Sequence, residues 1–381
     1  MEKKNTKIAM MTWYHYRNLG TALQVCALYK TISDLGYMPS LVQYRPKVAS
    51  VQKLSLKTFC SKALHWCVRK LFGPDTYCSE KREKLFTQFL SERISETTPR
   101  ESGGELAELN SEFAAFVCGS DQIWSPLCFD PKYFLSFVSD EKRMVAYAPS
   151  FGTMRIAEEN IKKETALLLR RFHHLSVREL QGTKIIKDLT GQDAKVVIDP
   201  TLLLSASEWD AYAEVAAVEK IKEPYILCYF LGKPSHYRKY VHCLGKKWGI
   251  RAYEIPILRD GGRYAKFPFE VGPGEFVSLV RNASFVCTDS FHGMAFAINY
   301  HVPFAVFERF IQDDPRNQNS RIYSLLELLG IEERLVSPKR MNHLDELRQL
   351  DYSEIEERLQ QLRQESMNYL EDSLNLAVAG R

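Results

Sequence analysis

Apolar residues along this chain gather in strand-length runs, and between the runs they recur every three or four positions within a charged background. Ile8-Ala-Met-Met-Thr12 is the first run. A polar turn from Trp13 to Leu19 and the pair Gly20-Thr21 follow it, then a helix-period segment carrying Leu23, Ala27, Leu28, Ile32 and Leu35. Gly36 closes that helix and Ser40-Leu-Val-Gln-Tyr44 returns as a strand, so the chain opens as a βαβ unit. Further runs at Phe113 to Val117, Met144 to Tyr147, His174 to Val177 and Val196 to Ile198 alternate with helical patterns such as Ile161 to Phe172. Strands alternating with helices predict a parallel sheet covered on both faces.

A second series repeats the alternation. It predicts strands at Tyr225 to Leu231, Arg251 to Ile255, Ser284 to Cys287 and Pro303 to Phe307, with helices near His236 to Lys247, Glu275 to Arg281 and Gly293 to Tyr300. Leu344, Leu347, Leu350, Ile355, Leu359, Leu362, Met367, Leu370 and Leu374 then recur at helical spacing, which predicts one or two amphipathic C-terminal helices that dock on the body or serve a dimer interface. The expected organisation is an α/β first domain over 1–205, an α/β second domain over 206–343 and a helical extension over 344–381, with the boundary near Ser205 to Lys222.

Composition narrows this picture more than it adds to it. At 381 residues the chain exceeds what one hydrophobic core organises, in keeping with two domains. No apolar stretch approaches the roughly eighteen residues of a membrane span, and the N-terminus lacks an apolar signal region. Nine cysteines without a C-x-x-C pair, several inside apolar runs, fit a reducing compartment, so the expected location is the cytoplasm. The His65-Trp66-Cys67 neighbourhood has no further ligands at zinc spacing, and no metal site is expected. A net charge of +4 is too dilute to advertise nucleic-acid binding. The densest basic block, Lys53 to Lys70, reads either as a solvated helix face or as a surface for peripheral association with an anionic membrane.

Ligands of open parallel sheets bind beyond the carboxyl ends of the strands, and the residues there are unusually polar. They include Asn18, Gly20 and Thr21, then Ser120, Asp121 and Gln122, then Ser150 and Gly152, then Arg178, Glu179 and Asp199. Any one of them alone reads equally as a cap or turn residue. The sharpest feature is Thr288-Asp-Ser-Phe-His-Gly293, set between a strand and a helix. Helix N-termini favour anions, Ser290 adds a hydroxyl, and His292 has the chemistry of an acid or base near neutral pH. Arg178 offers a planar fork for a carboxylate or phosphate, or a salt bridge to a neighbouring acid. Arg309 and Arg321 are weaker candidates for the same cleft. No Walker loop, G-x-G-x-x-G, G-x-S-x-G or H-E-x-x-H occurs.

With these residues in order, the chain resembles the polysaccharide pyruvyl transferase family from about Ile8 to Leu335. Asn18-Leu-Gly-Thr-Ala-Leu-Gln24, Gly119-Ser-Asp-Gln-Ile-Trp124, Tyr147-Ala-Pro-Ser-Phe-Gly152, Ser176-Val-Arg-Glu179, Asp199-Pro-Thr-Leu-Leu203, Thr288 to Gly293 and Pro303-Phe304 carry the likeness together. It implies a GT-B-like architecture, two Rossmann-like domains facing each other across a cleft, with C-terminal helices packing back on the first. It also implies transfer of a pyruvyl group from phosphoenolpyruvate to two hydroxyls of a sugar, with no further cofactor. On that likeness Arg178, Ser290, Phe291, His292 and Gly293 hold the donor and His292 is the general acid. One of Arg309, Arg316 and Arg321 completes the phosphate clamp. Asn18, Thr21, Gln24, Ser120, Asp121 and Gln122 face the acceptor, a glycan free or lipid-linked at the inner face of the membrane. Two rivals share the fold: a glycosyltransferase using a nucleotide-sugar, and a glycan-binding protein without turnover. Homo-oligomerisation through the C-terminal helices is a further expectation.

Overall fold

A computed structural model describes residues 3–14, 17–45, 79–232, 235–256, 265–267, 269–310, 317–336 and 346–380. The first apolar run forms β1 (Lys7–Met11), in which every residue after Lys7 is buried, as a central parallel strand requires. With β2 (Met38–Leu41), β3 (Ala115–Cys118) and β4 (Met144–Ala146) it makes an all-parallel sheet ordered β2-β1-β3-β4. The two-residue strands β5 (Ser176–Val177) and β6 (Lys195–Val196) pair separately beside it. Helices α1 (Leu19–Asp34), α2 (Glu80–Ser91), α3 (Glu159–Leu169) and α4 (Leu180–Thr190) complete this half.

The second half is built on β7 (Tyr225–Tyr229), β8 (Arg251–Glu254), β9 (Ala265–Lys266), β10 (Phe285–Thr288), β11 (Phe304–Phe307) and β12 (Leu335–Val336), all parallel in the order β12-β11-β10-β7-β8-β9. Its helices are α5 (Ser235–Trp248), α6 (Pro273–Arg281), α7 (Phe291–Asn299) and α8 (Ser320–Leu329). The chain ends in one long helix, α9 (Ser353–Ala379). The expected α/β fold with two Rossmann-like, GT-B-like domains facing across a cleft is therefore the observed one.

The halves are not independent bodies. Leu23 and Ala27 of α1, Leu202, Trp209, Phe276 of α6 and Phe296 of α7 belong to one apolar cluster, and the Trp209 and Phe296 rings lie 4.8 Å apart. Helix α9 fastens both. The Tyr369 hydroxyl donates to the Ala146 carbonyl at 3.0 Å, and the Ile198 amide donates to Ser366 Oγ at 3.0 Å. Arg363 donates to the Leu202 carbonyl and to Asn299 Oδ1, each at 2.7 Å, so one guanidinium bridges the first half and α7. Arg363→Met keeps the apolar stem and strands both acceptors; it is expected to lower stability by about 2–4 kcal/mol, read by denaturant unfolding.

Several details differ from the sequence expectation. Helices α2 and α4 and the edge strands β9 and β12 were not anticipated. The helix expected from Gly293 starts at Phe291, because Ser290 takes the N-cap and its Oγ accepts from the Gly293 amide. The C-terminal pattern resolves to one helix starting at Ser353, since Tyr352, Leu350 and the 3-10 turn before them pack as its approach. Leu344, the block from Lys53 to Lys70 with His65-Trp66-Cys67, and Arg316 lie outside the described residues. Among the described residues no helix is long and apolar enough to cross a membrane.

Candidate active site

Helices α1 and α7 begin on opposite sides of one cleft, and this convergence follows from their caps. Asn18 Oδ1 accepts from the Thr21 amide at 3.2 Å at the start of α1; Ser290 does the same for Gly293 at 3.3 Å at the start of α7. Each leaves other first-turn amides unpaired and presents the positive end of a helix dipole. The cleft holds about 520 Å³. Trp13, Arg17, Asn18, Thr21, Asp121 and Gln122 line it from the first domain; Tyr229, Leu231, Asp289, Ser290, Phe291, His292, Arg309, Gln318 and Arg321 line it from the second, with Cys128 at its margin.

The second-domain wall is cationic. Arg321 projects from the first turn of α8, is 8% exposed, and makes no ion pair among the described residues. Among the described residues its Nε has no hydrogen-bond partner and one Nη donates only a long 3.5 Å bond to the Gln318 carbonyl. Burial, with repulsion from Arg178 and Arg309, pulls its pKa down to about 9, which still leaves it charged at neutral pH. Arg309 is half-buried; it bonds Gln318 Oε1 at 3.2 Å and lies over the Phe310 ring. Burial lowers its pKa, opposed chiefly by Asp289. Asp289 in turn accepts from the Leu231 and Gly232 amides at 2.6 and 2.9 Å, and burial raises its pKa.

Beneath the wall sits a buried group of charges. Asp199 follows β6 and caps a single helical turn, its Oδ1 accepting from the Thr201 amide at 3.0 Å and hydroxyl at 2.8 Å. Its Oδ2 accepts from Ser120 Oγ at 3.1 Å and from Arg178 in a short ion pair, and lies 3.7 Å from His292 Nε2. Although burial opposes ionisation, Arg178 and His292 hold this carboxyl far below the usual carboxylate range. Asp121 is 3.6 Å from Arg178, accepts from the Thr21 hydroxyl at 2.7 Å, and is likewise held ionised against burial, chiefly by Arg178 and His292. Its left-handed backbone, φ 67°, is a conformation that Asp tolerates and that here aims the carboxylate at the cleft. The Arg178 guanidinium lies 4.5 Å from the centre of the Phe291 ring, so second-domain Phe291 covers first-domain Arg178.

The structure brings most of the sequence-derived candidates to the cleft and moves some behind it. Asn18, Thr21, Asp121, Gln122, Ser290, Phe291, His292, Arg309 and Arg321 are on the wall. Arg178 is 3% exposed and bonds Asp199, one layer below the wall. Gln24 and Ser120 are fully buried behind the first-domain wall, where the Gln24 amide spans Thr12, Trp13 and Thr21 and accepts from the Ser120 amide. Gly293 packs on Thr288, where a Cβ would collide with the Thr288 side chain; it lets the helix approach the strand and does not touch the cleft. Sequence reasoning placed Asp199 among the polar residues that follow strands and Asp289 within the Thr288–Gly293 turn, without a separate role for either, and gave none to Trp13, Arg17, Tyr229, Leu231 or Gln318. Asp199 and Asp289 carried the signal of an acid placed after a strand.

Comparison with known proteins adds one assignment. The family model for polysaccharide pyruvyl transferase matches residues 18–309. No curated protein matches the sequence. Among solved structures, the UDP-GlcNAc 2-epimerase from Methanocaldococcus jannaschii is 11% identical with a TM-score of 0.48, over 84% of this chain and 91% of that one. The UDP-GlcNAc 2-epimerase from Neisseria meningitidis is 10% identical with a TM-score of 0.44, over 94% and 100%. The wall teichoic acid polymerase TagF is 9% identical with a TM-score of 0.49, over 98% and 89%.

Proposed function

This chain belongs to the polysaccharide pyruvyl transferase family, and from that premise we propose that it moves the pyruvyl group of phosphoenolpyruvate onto two hydroxyls of one sugar in a polysaccharide or its lipid-linked precursor. The observation that carries the donor assignment is Arg321, a buried guanidinium facing the cleft that makes no ion pair among the described residues, on the same wall as the N-terminus of α7 and Arg309. That wall suits a phosphate and a carboxylate on one small molecule. The opposite wall offers Asn18, Thr21, Asp121 and Gln122, which suit sugar hydroxyls.

In the reaction, protonated His292 gives its proton to the methylene carbon of the enol while a sugar hydroxyl adds to the neighbouring carbon. The hydroxyl's proton returns to His292. A second hydroxyl of the same sugar then displaces phosphate, which leaves with the C–O bonding pair and takes up that hydroxyl's proton. Phosphoenolpyruvate and a diol thus give a cyclic ketal and inorganic phosphate, with His292 regenerated. The cationic and dipolar wall stabilises the departing phosphate. The proposal sets the reaction in the cytoplasm, at the inner face of the membrane when the acceptor is lipid-linked.

A thermal-shift comparison of phosphoenolpyruvate with UDP and UDP-sugars tests the donor. At about a hundred times its dissociation constant a true ligand adds about 2.7 kcal/mol of stability. Phosphoenolpyruvate is expected to raise the melting temperature and UDP to leave it unchanged. A shift with UDP or a UDP-sugar alone would replace pyruvyl transfer by glycosyl transfer; silence from every donor would favour glycan binding without turnover.

A further inference from the structure

We infer that Asp199 is a positioning residue that keeps a proton on Nε2 of His292, which leaves Nδ1 as the nitrogen that exchanges protons with substrate. The inference rests on the pyruvyl-transfer reading only for the identity of that substrate. Its basis is the unequal surroundings of the two ring nitrogens. Nε2 is sealed from solvent with no hydrogen-bond partner among the described residues, and the carboxylate oxygen it faces, Asp199 Oδ2, is 3.7 Å away. Nδ1 is turned the other way, towards Gly20 in the first turn of α1, whose neighbours Asn18 and Thr21 line the cleft.

Asp199 is held for this task. Thr201 occupies Oδ1, Ser120 and Arg178 occupy Oδ2, and the residue is 1% exposed, so the carboxylate cannot swing to meet another donor. The other charge acting with the imidazole is Asp121 from the first domain, and Arg178 lies on the neighbouring Phe291 ring; neither is at bonding distance from Nε2. Asp199 belongs to the first domain and His292 to the second. Catalytic contacts in unliganded sites are commonly long, and a small closing of the cleft on substrate would shorten 3.7 Å to a hydrogen bond. A carboxylate that accepts from one imidazole nitrogen fixes the tautomer and the ring's direction.

The test reads the tautomer directly. In protein carrying 15N-labelled histidine, with the imidazole in its neutral form, His292 is expected to show a protonated Nε2 and a bare Nδ1, assigned by loss of the signals in His292→Gln. In Asp199→Asn, whose amide cannot accept from Arg178 and from His292 Nε2–H while also capping Thr201, the Nε2–H preference should disappear. Turnover should fall about ten- to hundredfold with the KM for phosphoenolpyruvate within about threefold. A wild-type spectrum with the proton on Nδ1, or an Asn variant with unchanged tautomer and turnover, overturns the inference. Should Asp199→Asn fail to fold by circular dichroism, the wild-type spectrum decides alone. A pinned Nε2–H in a protein that releases no phosphate from phosphoenolpyruvate would sink the donor reading and leave the positioning role standing.

Discussion

Gly20→Ala is expected to remove most turnover even though alanine is the better helix former. Gly20 occupies the first turn of α1 with ordinary helical geometry, where replacing glycine by alanine would by itself favour the helix by about 1 kcal/mol. The position has no room for it. A Cβ at Gly20 would overlap Nδ1 and Cγ of His292 and lie 2.8 Å from its Cβ. The overlap involves the base of the side chain as well as its tip, so a rotamer change does not clear it; either the imidazole leaves its place or the domains part. Either outcome costs general acid and base catalysis, commonly worth about 10²- to 10⁴-fold in rate. Steady-state phosphate release from phosphoenolpyruvate measures it. Gly104→Ala is the control, since its Cβ would meet nothing nearer than Ser102 Oγ at 3.9 Å. A fully active Gly20→Ala protein would show that His292 does not work from the place where the structure puts it.

That contact also marks the boundary of what the sequence reveals. The strands and helices were legible because burial on both faces writes continuous apolar runs, as in β1, β3 and β10, and helical burial writes a longer period, as in α1. Helix α2 was not legible, because its mean hydropathy is low and only Arg82, Phe86 and Phe89 are buried. Edge strands β9 and β12 have two residues each, too few to carry a period. The cleft was legible as polar residues following strands, since that position in a parallel sheet is where ligands reach the backbone. Depth was not legible. Ser120 shares a strand end with Asp121, Arg178 directly follows β5 and Gln24 lies in the second turn of α1, and only the packing of Phe291 over Arg178 and of the Gln24 amide across Thr12 and Trp13 shows which face the cleft and which lie behind the wall. The Gly20–His292 approach joins two domains and leaves no local trace in either segment.

Arg321→Met is expected to make the unliganded protein more stable and to abolish its response to donor. In the free protein Arg321 is a buried cation that makes no ion pair among the described residues and on which burial and the neighbouring arginines outweigh Asp121 and Glu179, and replacing such a group by an apolar side chain of similar length relieves a desolvation cost of about 1–4 kcal/mol. The melting temperature should therefore rise by a few degrees at neutral pH. The sign of the pH dependence follows from the direction of the shift. Burial lowers the folded-state pKa from the ordinary guanidinium value to about 9, so below about 9 the charged form is present in both folded and unfolded chains and the full cost is felt. Above about 9 the folded protein releases the proton first, and the gap between wild type and Arg321→Met should close as the pH rises further. Binding reverses the balance, because a phosphate or carboxylate supplies the missing counter-charge through hydrogen bonds worth about 1.5–3 kcal/mol each. Two such bonds lost should lower kcat/KM for phosphoenolpyruvate by about 10²- to 10³-fold or more, and the donor-induced thermal shift should vanish. Arg309→Met should behave differently, because it strands Asp289, whose carboxylate already suffers from burial; the unliganded protein should then lose stability. If Arg321→Met instead destabilises the free protein and leaves the phosphoenolpyruvate response intact, Arg321 is a structural strut and the anion seat must be sought elsewhere on the cleft wall.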